Sequence, residues 1–336
     1  MTDILEIETP RARAPYRRLK VYKSPQDARE AAEFFHRVAK SQSEGTNVAG
    51  GFTVPEVVAA AVISYRDRVG VIRANANVVN MTSDSITLPR RSTGVTGAFI
   101  GENATLADTQ EVVFDNVTLS AKKIMTLVRA SSELELDAVG FADFITGELA
   151  YSLAFLEDDT VINGDGSAAS GGISGLTTKI LDKAAAKDAA AGNDTFLEIT
   201  LADLATALAA VPDYAVGGAK WYCSHVAYAS VFCRLAAGAG AIQIVDGTPH
   251  FWGLPVVRSS LFPTSTGDLS NLAMLFVGDM NLACLFGARR AINVARSTSR
   301  YIEFDQTIWR ATERFDAVWE LGTAATVGPM VALIGD

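Results

Sequence analysis

The histidines and cysteines are the first residues to test for chemistry, because histidine is the usual general base near neutral pH. The chain contains three histidines, His36, His225 and His250. Cys223-Ser224-His225 places a thiol near an imidazole, but this spacing is common by chance and fits a polar helix start. His36 lies in a basic helix, and His250 lies in the turn-rich Thr248-Pro249-His250. These residues therefore predict exposed polar positions and no nucleophile with its base.

A glycine-rich segment, Gly164–Gly175, could cradle a phosphate, because glycines let backbone N–H groups approach an anion. It follows a predicted helix instead of a strand, and it lacks both the third glycine and a Gly-Lys-Ser/Thr run. The adjacent carboxylates Asp158 and Asp159 point in different directions on a helix, and the sequence supplies no third metal ligand. We therefore predict no catalytic, cofactor-binding or metal-binding residues and no enzyme activity. A hydrolase that uses the Gly164–Gly175 loop is the alternative from another class.

Composition limits the remaining classes of protein. The chain has 336 residues, 49% hydrophobic and only 20% charged, which is enough apolar material for about two domains. Its longest uncharged run, Leu321–Gly335, contains proline and glycines and is shorter than the ~20 residues of a spanning helix, so no membrane partner is expected. The odd set Cys223, Cys233 and Cys284 predicts reduced thiols, as in a cytosol. A chain with so little charge is expected to hide surface in partners.

The N-terminal segment opposes the net charge of −9. Residues 11–40 form a basic arm with nine basic residues and three acids; the basic residues are Arg11, Arg13, Arg17, Arg18, Lys20, Lys23, Arg29, Arg37 and Lys40. Ser24-Pro25-Gln26-Asp27 is a strong helix start. The short helix that follows has one thin apolar stripe, so it is expected to pack on another surface. Ser41–Gly51 reads as a linker.

The first half of the remaining chain predicts a helix, a β-arm and a long acidic helix. Val54–Val69 is amphipathic, and Val71–Arg90 has two strand-like runs. Residues 91–115 are weakly patterned between two strands, which is typical of a partner-binding loop and predicts a two-stranded arm that lies on another surface. Ser132–Asn163 has one apolar stripe and eight acids without a base, so its outer face is strongly negative.

The second half predicts a mixed α/β region. Thr200-Leu201-Ala202-Asp203 is a capping box, and Ser224 is positioned to cap a helix through Leu235. Strand-like runs are Lys220–Cys223, Pro255–Arg258, Ala273–Val277, Leu282–Phe286, Ile292–Val294, Tyr301–Phe304, Ile308–Thr312 and Ala317–Leu321.

In this order the segments resemble the tailed-phage major capsid protein family, with the Hong Kong-type shell fold also found in encapsulins and gene transfer agents. The matching pieces are Gly50-Gly51-Phe52-Thr53-Val54-Pro55, Val161-Ile162-Asn163-Gly164-Asp165-Gly166, Gly172-Ile173-Ser174-Gly175-Leu176, Trp252-Gly253-Leu254-Pro255-Val256-Val257, Val277-Gly278-Asp279 and Arg310-Ala311-Thr312-Glu313-Arg314-Phe315. Each piece is weak alone, and together they are specific from about residue 45 onward.

The resemblance implies an α+β fold with an N-terminal arm, an extended β-loop, a peripheral domain with a long spine helix, and an axial domain. The implied divisions are the arm 1–53, peripheral domain 54–84, extended loop 85–127, peripheral domain with spine helix 128–163, axial domain 164–287, peripheral strands 288–318 and axial C-terminus 319–336. Many members carry a cleavable scaffolding segment before the arm. Here we expect either a separate scaffold protein or a chain already in its mature form.

The implied function is self-assembly into hexamers and pentamers of an icosahedral virion capsid that encloses double-stranded DNA. Implied partners are further copies, with trimer contacts between capsomers, a scaffold or cement protein, a portal and non-specifically packaged DNA; the host cytoplasm is the place of assembly. An encapsulin or gene-transfer-agent shell is the alternative. Candidate intersubunit contacts are Arg11, Arg13, Arg17, Arg18, Lys20, Phe99, Ile100, Glu133, Glu135, Asp143, Glu157 and Asp158. The basic arm is expected to contact the acidic spine helix of neighbours, with packaged DNA as the competing interpretation.

Some members of this family join an extended-loop lysine to an asparagine in a neighbour's peripheral domain. Residues 91–121 contain no lysine, and Lys122 and Lys123 come at the base of the returning strand. The segment expected to supply the partner, Phe304-Asp305-Gln306-Thr307, contains no asparagine. We therefore expect a shell without this covalent link, because reacting atoms must approach to about 3–3.5 Å.

Overall fold

A computed structural model describes residues 70–93, 99, 113–137, 140–239 and 242–336. The chain divides into two units, Met1–Thr53 and Val54–Asp336, and every described residue belongs to the second. The basic arm and the predicted helix Val54–Val69 lie outside the described residues.

Strands and helices alternate irregularly along the described chain. The strands are β1 (Asn77–Asn80), β2 (Ser85–Thr93), β3 (Val113–Ser120), β4 (Lys122–Ser131), β5 (Ala186–Asp188), β6 (Lys220–Cys223), β7 (Ile242–Val245), β8 (Thr248–Phe251), β9 (Leu254–Arg258), β10 (Ala273–Gly278), β11 (Cys284–Ser297), β12 (Gln306–Trp319) and β13 (Met330–Ile334). The helices are α1 (Val71–Asn75), α2 (Ser132–Asp137), α3 (Phe141–Asn163), α4 (Leu176–Lys179), α5 (Leu201–Ala209), α6 (Asp213–Val216), α7 (His225–Ala227), α8 (Arg234–Ala239) and α9 (Met280–Ala283). A π-helical turn, Tyr228–Cys233, joins α7 to α8.

A four-stranded sheet in the order β1-β11-β12-β4 carries the long helix α3 on one face. Alternate residues of β12 point to opposite faces, so Trp309 and Ala311 pack against Ile145, Leu149 and Leu153 of α3. Ile145, Leu149 and Leu153 of the predicted apolar stripe therefore lie on the buried face, whereas Leu156, which was predicted to belong to the same stripe, is 41% exposed. Trp319 also donates from Nε1 to the carbonyl of Val161, 2.8 Å away, at the helix's C-terminal end.

The long acidic helix is shorter than the sequence predicts. Gly140 precedes α3 with φ 82°, a left-handed conformation that L side chains rarely adopt, so Ser132–Asp137 forms the separate helix α2. At the other end Gly164 ends α3, as predicted. We call α3 the spine helix from here on.

A seven-stranded sheet in the order β5-β13-β10-β6-β9-β8-β7 forms the second half of the fold. Strand β10, which lies between β13 and β6, is buried along its whole length between two apolar clusters. The predicted capping box is present, because Thr200 and Asp203 exchange side-chain and backbone hydrogen bonds at the start of α5. Ser224 likewise caps α7 by accepting from the N–H of Ala227.

β2 and β3 form a two-stranded antiparallel ladder outside both larger sheets. Its register is continuous from Ser85 opposite Ser120 to Arg91 opposite Phe114 and shifts before Thr93, which lies opposite Val113. These two strands together with Phe99 form the β-arm. The extended loop was predicted to continue to residue 127, but Lys122 to Leu127 pair with β12 and belong to the four-stranded sheet. The arm therefore ends at Ala121.

The structure also corrects three predicted secondary-structure elements and one predicted domain boundary. Val71–Asn75 is helical, because Asp158 accepts hydrogen bonds from the first N–H groups of α1. Met280–Ala283 is helical because the Asp279 side chain accepts from the N–H of Asn281, so β11 begins at Cys284 and crosses the predicted domain boundary at 288. Ile302–Phe304 is a 3-10 turn between two left-handed residues, Tyr301 and Asp305.

Candidate intersubunit surfaces

The β-arm exposes large apolar side chains. Phe114 is 66% exposed and Val113 51% exposed, and Phe99 is fully exposed. Ile100, the other predicted contact of this loop, lies outside the described residues. Arg90 crosses the ladder to Asp115, 2.5 Å from Nη2 to Oδ2, and also contacts Glu320. The ladder thus has internal polar support and an apolar surface that the described part of the chain leaves open.

The base of the β-arm is anchored in the core. Val117 and Leu119 of β3 are buried, and a Cβ at Gly287 would lie 3.2 Å from Leu119 Cδ1, so glycine permits the close approach of β11. The N–H of Ser120 donates to Asp316 Oδ2 at 2.5 Å. Burial raises the pKa of Asp316, although the hydrogen bonds from Ser120 and Ala317 oppose this rise. The arm is therefore fixed at one end and exposed along its length.

Fewer acidic side chains are exposed in Ser132–Asn163 than the sequence predicts. Glu133 and Asp143 are exposed, and Glu135 is half-buried and paired with Arg296, 2.7 Å from Oε1 to Nη2. Glu148 is half-buried. The accessible carboxylates therefore concentrate toward the N-terminal end, on α2 and the first turn of α3.

Glu157 and Asp158 were predicted as intersubunit contacts, and this is wrong, because both are buried inside the chain. Asp158 accepts hydrogen bonds from the N–H groups of Gly70, Val71 and Ile72, at 2.5, 2.9 and 3.2 Å. Its carboxylate satisfies three backbone donors that the start of α1 leaves without helical partners. Glu157 follows Leu153 of the apolar stripe by four residues, and Asp158 precedes the buried Ile162 by four, so helical spacing places both acids on the inner face.

The buried carboxylates of Glu157 and Glu313 share the partly exposed guanidinium of Arg73. Arg73 donates to both oxygens of Glu157 at 2.7 Å and also contacts Glu313 from β12. Burial raises the pKa of Glu157 to about 7, against the opposing effect of Arg73. Burial raises the pKa of Glu313 as well. A carboxyl with a pKa near neutrality is typical of a catalytic acid, but here its oxygens are closed off by Arg73 and the core.

The Gly164–Gly175 loop bonds to itself. Asp165 Oδ1 accepts from the N–H of Ser167 and the hydroxyl of Ser170, at 2.9 and 2.7 Å, which lowers the pKa of Asp165 to about 2. The N–H of Gly175 donates to the carbonyl of Gly164 at 2.7 Å. A Cβ at Gly164 would lie 2.4 Å from the Thr160 carbonyl oxygen, so its lack of a side chain serves packing. The loop is a structural turn after the spine helix.

The other residues tested for chemistry are dispersed or buried. Burial raises the pKa of Cys223 and of Cys284, and all three cysteines are free. His225 is exposed at the start of α7, and His250 Nδ1 lies 3.0 Å from the Thr248 carbonyl. Across the described ranges, no group of three His, Cys, Asp or Glu side chains is placed to hold a metal ion. Nor does any described helix have the length and apolar character needed to cross a membrane.

A cationic cleft on the four-stranded sheet was not predicted. It has a volume of about 440 Å³ and is lined by Lys123, Arg289, Arg290, Asn293, Arg310, Thr312, Glu313 and Arg314. The signal in the sequence was the alternation of Arg310, Thr312 and Arg314, which puts all three on one face of a strand. Whether these residues meet further cations depends on the register of the neighbouring strands, which the sequence alone does not provide.

The fold is that of phage and gene-transfer-agent shell proteins. One solved neighbour is the capsid of a native gene-transfer-agent particle computed with C5 symmetry, with a TM-score of 0.65, 16% identity, and coverage of 88% of this chain and 99% of that chain. Another is a chain from Microbacterium phage Oxtober96, with a TM-score of 0.62, 15% identity, and coverage of 90% and 99%.

The family model described as Phage capsid family matches residues 50–327, and the chain belongs to this family. A curated relative, the major capsid protein of Klebsiella oxytoca phage phiKO2, is 25% identical over 239 residues, which are 69% of this chain. The chain spans 54% of the length of that relative. Family membership implies a structural role, and it does not favour the hydrolase alternative.

Proposed function

We propose that the chain is the major shell subunit of a tailed phage, which self-assembles into hexamers and pentamers of an icosahedral capsid around double-stranded DNA. Trimer contacts join the capsomers, and assembly takes place in the host cytoplasm. The phage relative favours this virion shell over an encapsulin. A separate scaffold or cement protein and a portal would complete the particle.

The exposed β-arm is the observation that carries this proposal. A two-stranded ladder is marginally stable alone in water, and this one adds exposed Phe114 and Phe99. Burying a fully exposed phenylalanine side chain against a neighbour lowers the free energy of association by about 1.5–3 kcal/mol, so repeated contacts of this kind favour assembly. A shell subunit needs such an extension, because each copy must bury surface against several neighbours.

Assembly of the purified full chain tests the proposal. We expect light scattering and electron microscopy to detect closed shells, with or without added scaffold protein, and Phe114→Ser to reduce their yield severalfold. Leu197→Ser is the matched control, because Leu197 is 67% exposed in the seven-stranded half. Persistent monomer with a native circular dichroism spectrum in both conditions would refute shell formation. Equal losses in the two variants would refute the role of the β-arm.

We also propose that the basic arm, including Arg11, Arg13, Arg17, Arg18 and Lys20, contacts the acidic surface of a neighbouring copy. The support is the charge opposition between the arm and the exposed Glu133 and Asp143. The Debye screening length is about 8 Å at physiological ionic strength and shortens as salt is added. Added salt should therefore weaken the attraction between exposed charges and slow assembly. Glu133→Lys with Asp143→Lys should slow it as well. If the double variant assembles normally but packages less DNA, the arm faces DNA instead.

A further inference from the structure

The cationic cleft lies on the face of the four-stranded sheet opposite the spine helix. Trp309 and Ala311 of β12 point toward that helix, so Arg310, Thr312 and Arg314 point to the other face. Lys123 from β4 and Arg290 from β11 extend the same face. The cleft is therefore formed by three adjacent strands of one sheet.

Strand register places three cations directly opposite one another. Arg314 pairs with Lys123 on one side and with Arg290 on the other. Directly opposed residues share a face, and neighbouring strands lie about 4.8 Å apart. Like charges in this arrangement destabilise a sheet, and a bound anion would remove that cost. The row is thus better suited to a ligand than to folding alone.

The cleft already attracts one carboxylate of its own chain. Asp84 Oδ1 accepts from Arg314 Nη1 at 3.0 Å and lies 3.4 Å from Arg289 Nε. Within the described part of the chain, Lys123, Arg290 and Arg310 form no ion pair. Asp84 therefore offsets only part of the positive charge.

We propose that this cleft binds phosphate groups. Its lining offers guanidinium groups, an ammonium, the Asn293 amide and the Thr312 hydroxyl, and it contains no apolar side chain. The lining also includes the carboxylate of Glu313, which is already paired with Arg73. A multiply charged oxyanion engages several such donors at once, whereas a carboxylate is satisfied by one or two arginines, as Asp84 is. An acidic peptide would add apolar atoms that this lining does not match. The phosphate can come from a free polyphosphate or from a nucleic-acid backbone, and the inference does not rest on shell formation.

Binding to the full chain, kept dispersed and checked by light scattering, tests this site. The probes are sodium tripolyphosphate, followed by titration calorimetry and thermal melting, and a short DNA duplex, followed by fluorescence anisotropy. Arg290→Gln and Lys123→Gln should each weaken binding about tenfold. Arg300→Gln is the control, because it removes an equal charge from an exposed residue that does not line the cleft. Arg290→Gln should not lower the melting temperature of the anion-free protein, since it removes a repulsion.

The two probes separate the sources of phosphate. Cleft-dependent binding of tripolyphosphate alone indicates a free polyphosphate, and cleft-dependent binding of the duplex as well indicates a nucleic-acid backbone; both results support the site. Failure of both probes to bind would overturn it, as would equal weakening by Arg300→Gln. Cleft-dependent binding of poly-L-glutamate that is tighter than that of tripolyphosphate would also overturn it in favour of an acidic protein partner.

Discussion

Arg73 and Glu157 form a bidentate ion pair, with both nitrogen–oxygen distances at 2.7 Å, that joins helix α1 to the spine helix. Glu313 on β12 shares the same guanidinium, and the ring of Phe286 lies 4.9 Å from Arg73 Cζ. One arginine therefore links α1, the spine helix and the four-stranded sheet. The buried carboxylates of Glu157 and Glu313 depend on this guanidinium to compensate their negative charge.

Arg73→Met should destabilise the protein by about 3 kcal/mol, because it leaves Glu157 and Glu313 buried without their cation. Urea unfolding followed by circular dichroism measures the change. Arg73→Lys is the matched control: it keeps the charge but loses the paired geometry, so its loss should be smaller. Equal stability of Arg73→Met and the unmodified protein would show that the cluster contributes nothing.

The stability that depends on Glu157 should fall as pH rises. Burial raises its pKa in the folded protein to about 7, above the ordinary value of 4.5, so the folded state binds this proton more tightly. The contribution is fully present below about pH 4.5 and is lost as pH rises through about 7. Urea midpoints measured from pH 5 to 8 should fall less steeply in Glu157→Gln than in the unmodified protein. If the urea midpoint falls more steeply with pH in Glu157→Gln than in the unmodified protein, the pKa of Glu157 is not raised by folding.

Two glycines of the spine-helix region should respond oppositely to alanine. A Cβ at Gly164 would lie 2.4 and 2.5 Å from the carbonyl oxygens of Thr160 and Ile173, so Gly164→Ala should cost about 2 kcal/mol or more. Gly147 lies inside the helix with nothing within 4 Å of the added Cβ, so Gly147→Ala should stabilise by up to about 1 kcal/mol. Thermal melting compares the pair, and the same sign for both would show that the Gly164 turn is not tightly packed.

Mature particles should yield uncrosslinked subunits. Lys122 and Lys123 lie in β4, opposite Phe315 and Arg314, so they are held at the base of the β-arm in the four-stranded sheet. A denaturing gel of boiled particles should give one band at the mass of a single subunit. A ladder of covalent pentamers and hexamers would show that another lysine reaches a neighbour.

The sequence predicted the elements whose signals are local. The capping box at Thr200 and the N-cap at Ser224 depend on side chains within three residues of the N–H groups that they accept from. The stripe Ile145, Leu149 and Leu153 follows from helical periodicity. The motif order from Gly50 to Phe315 indicated the family that the comparison over residues 50–327 identifies.

Other features were decided by contacts between residues distant in sequence. α1 is helical because Asp158, 87 residues from Val71, accepts its first N–H groups. Glu157 appeared to belong to an exposed acidic face until Arg73 and Glu313 were brought to it. Composition along one segment reports charge, but only packing of several segments determines which charges remain exposed.

The sequence by itself therefore determined the α+β class, the family resemblance, the two-stranded arm and the buried stripe of the spine helix, because periodicity and caps act over a few residues. The tertiary structure alone decided the cluster of Arg73, Glu157 and Glu313 and the cationic cleft. Lys123, Arg314 and Arg290 lie on three strands, and their alignment depends on register. A shift of one residue in one strand would send its cation to the opposite face of the sheet.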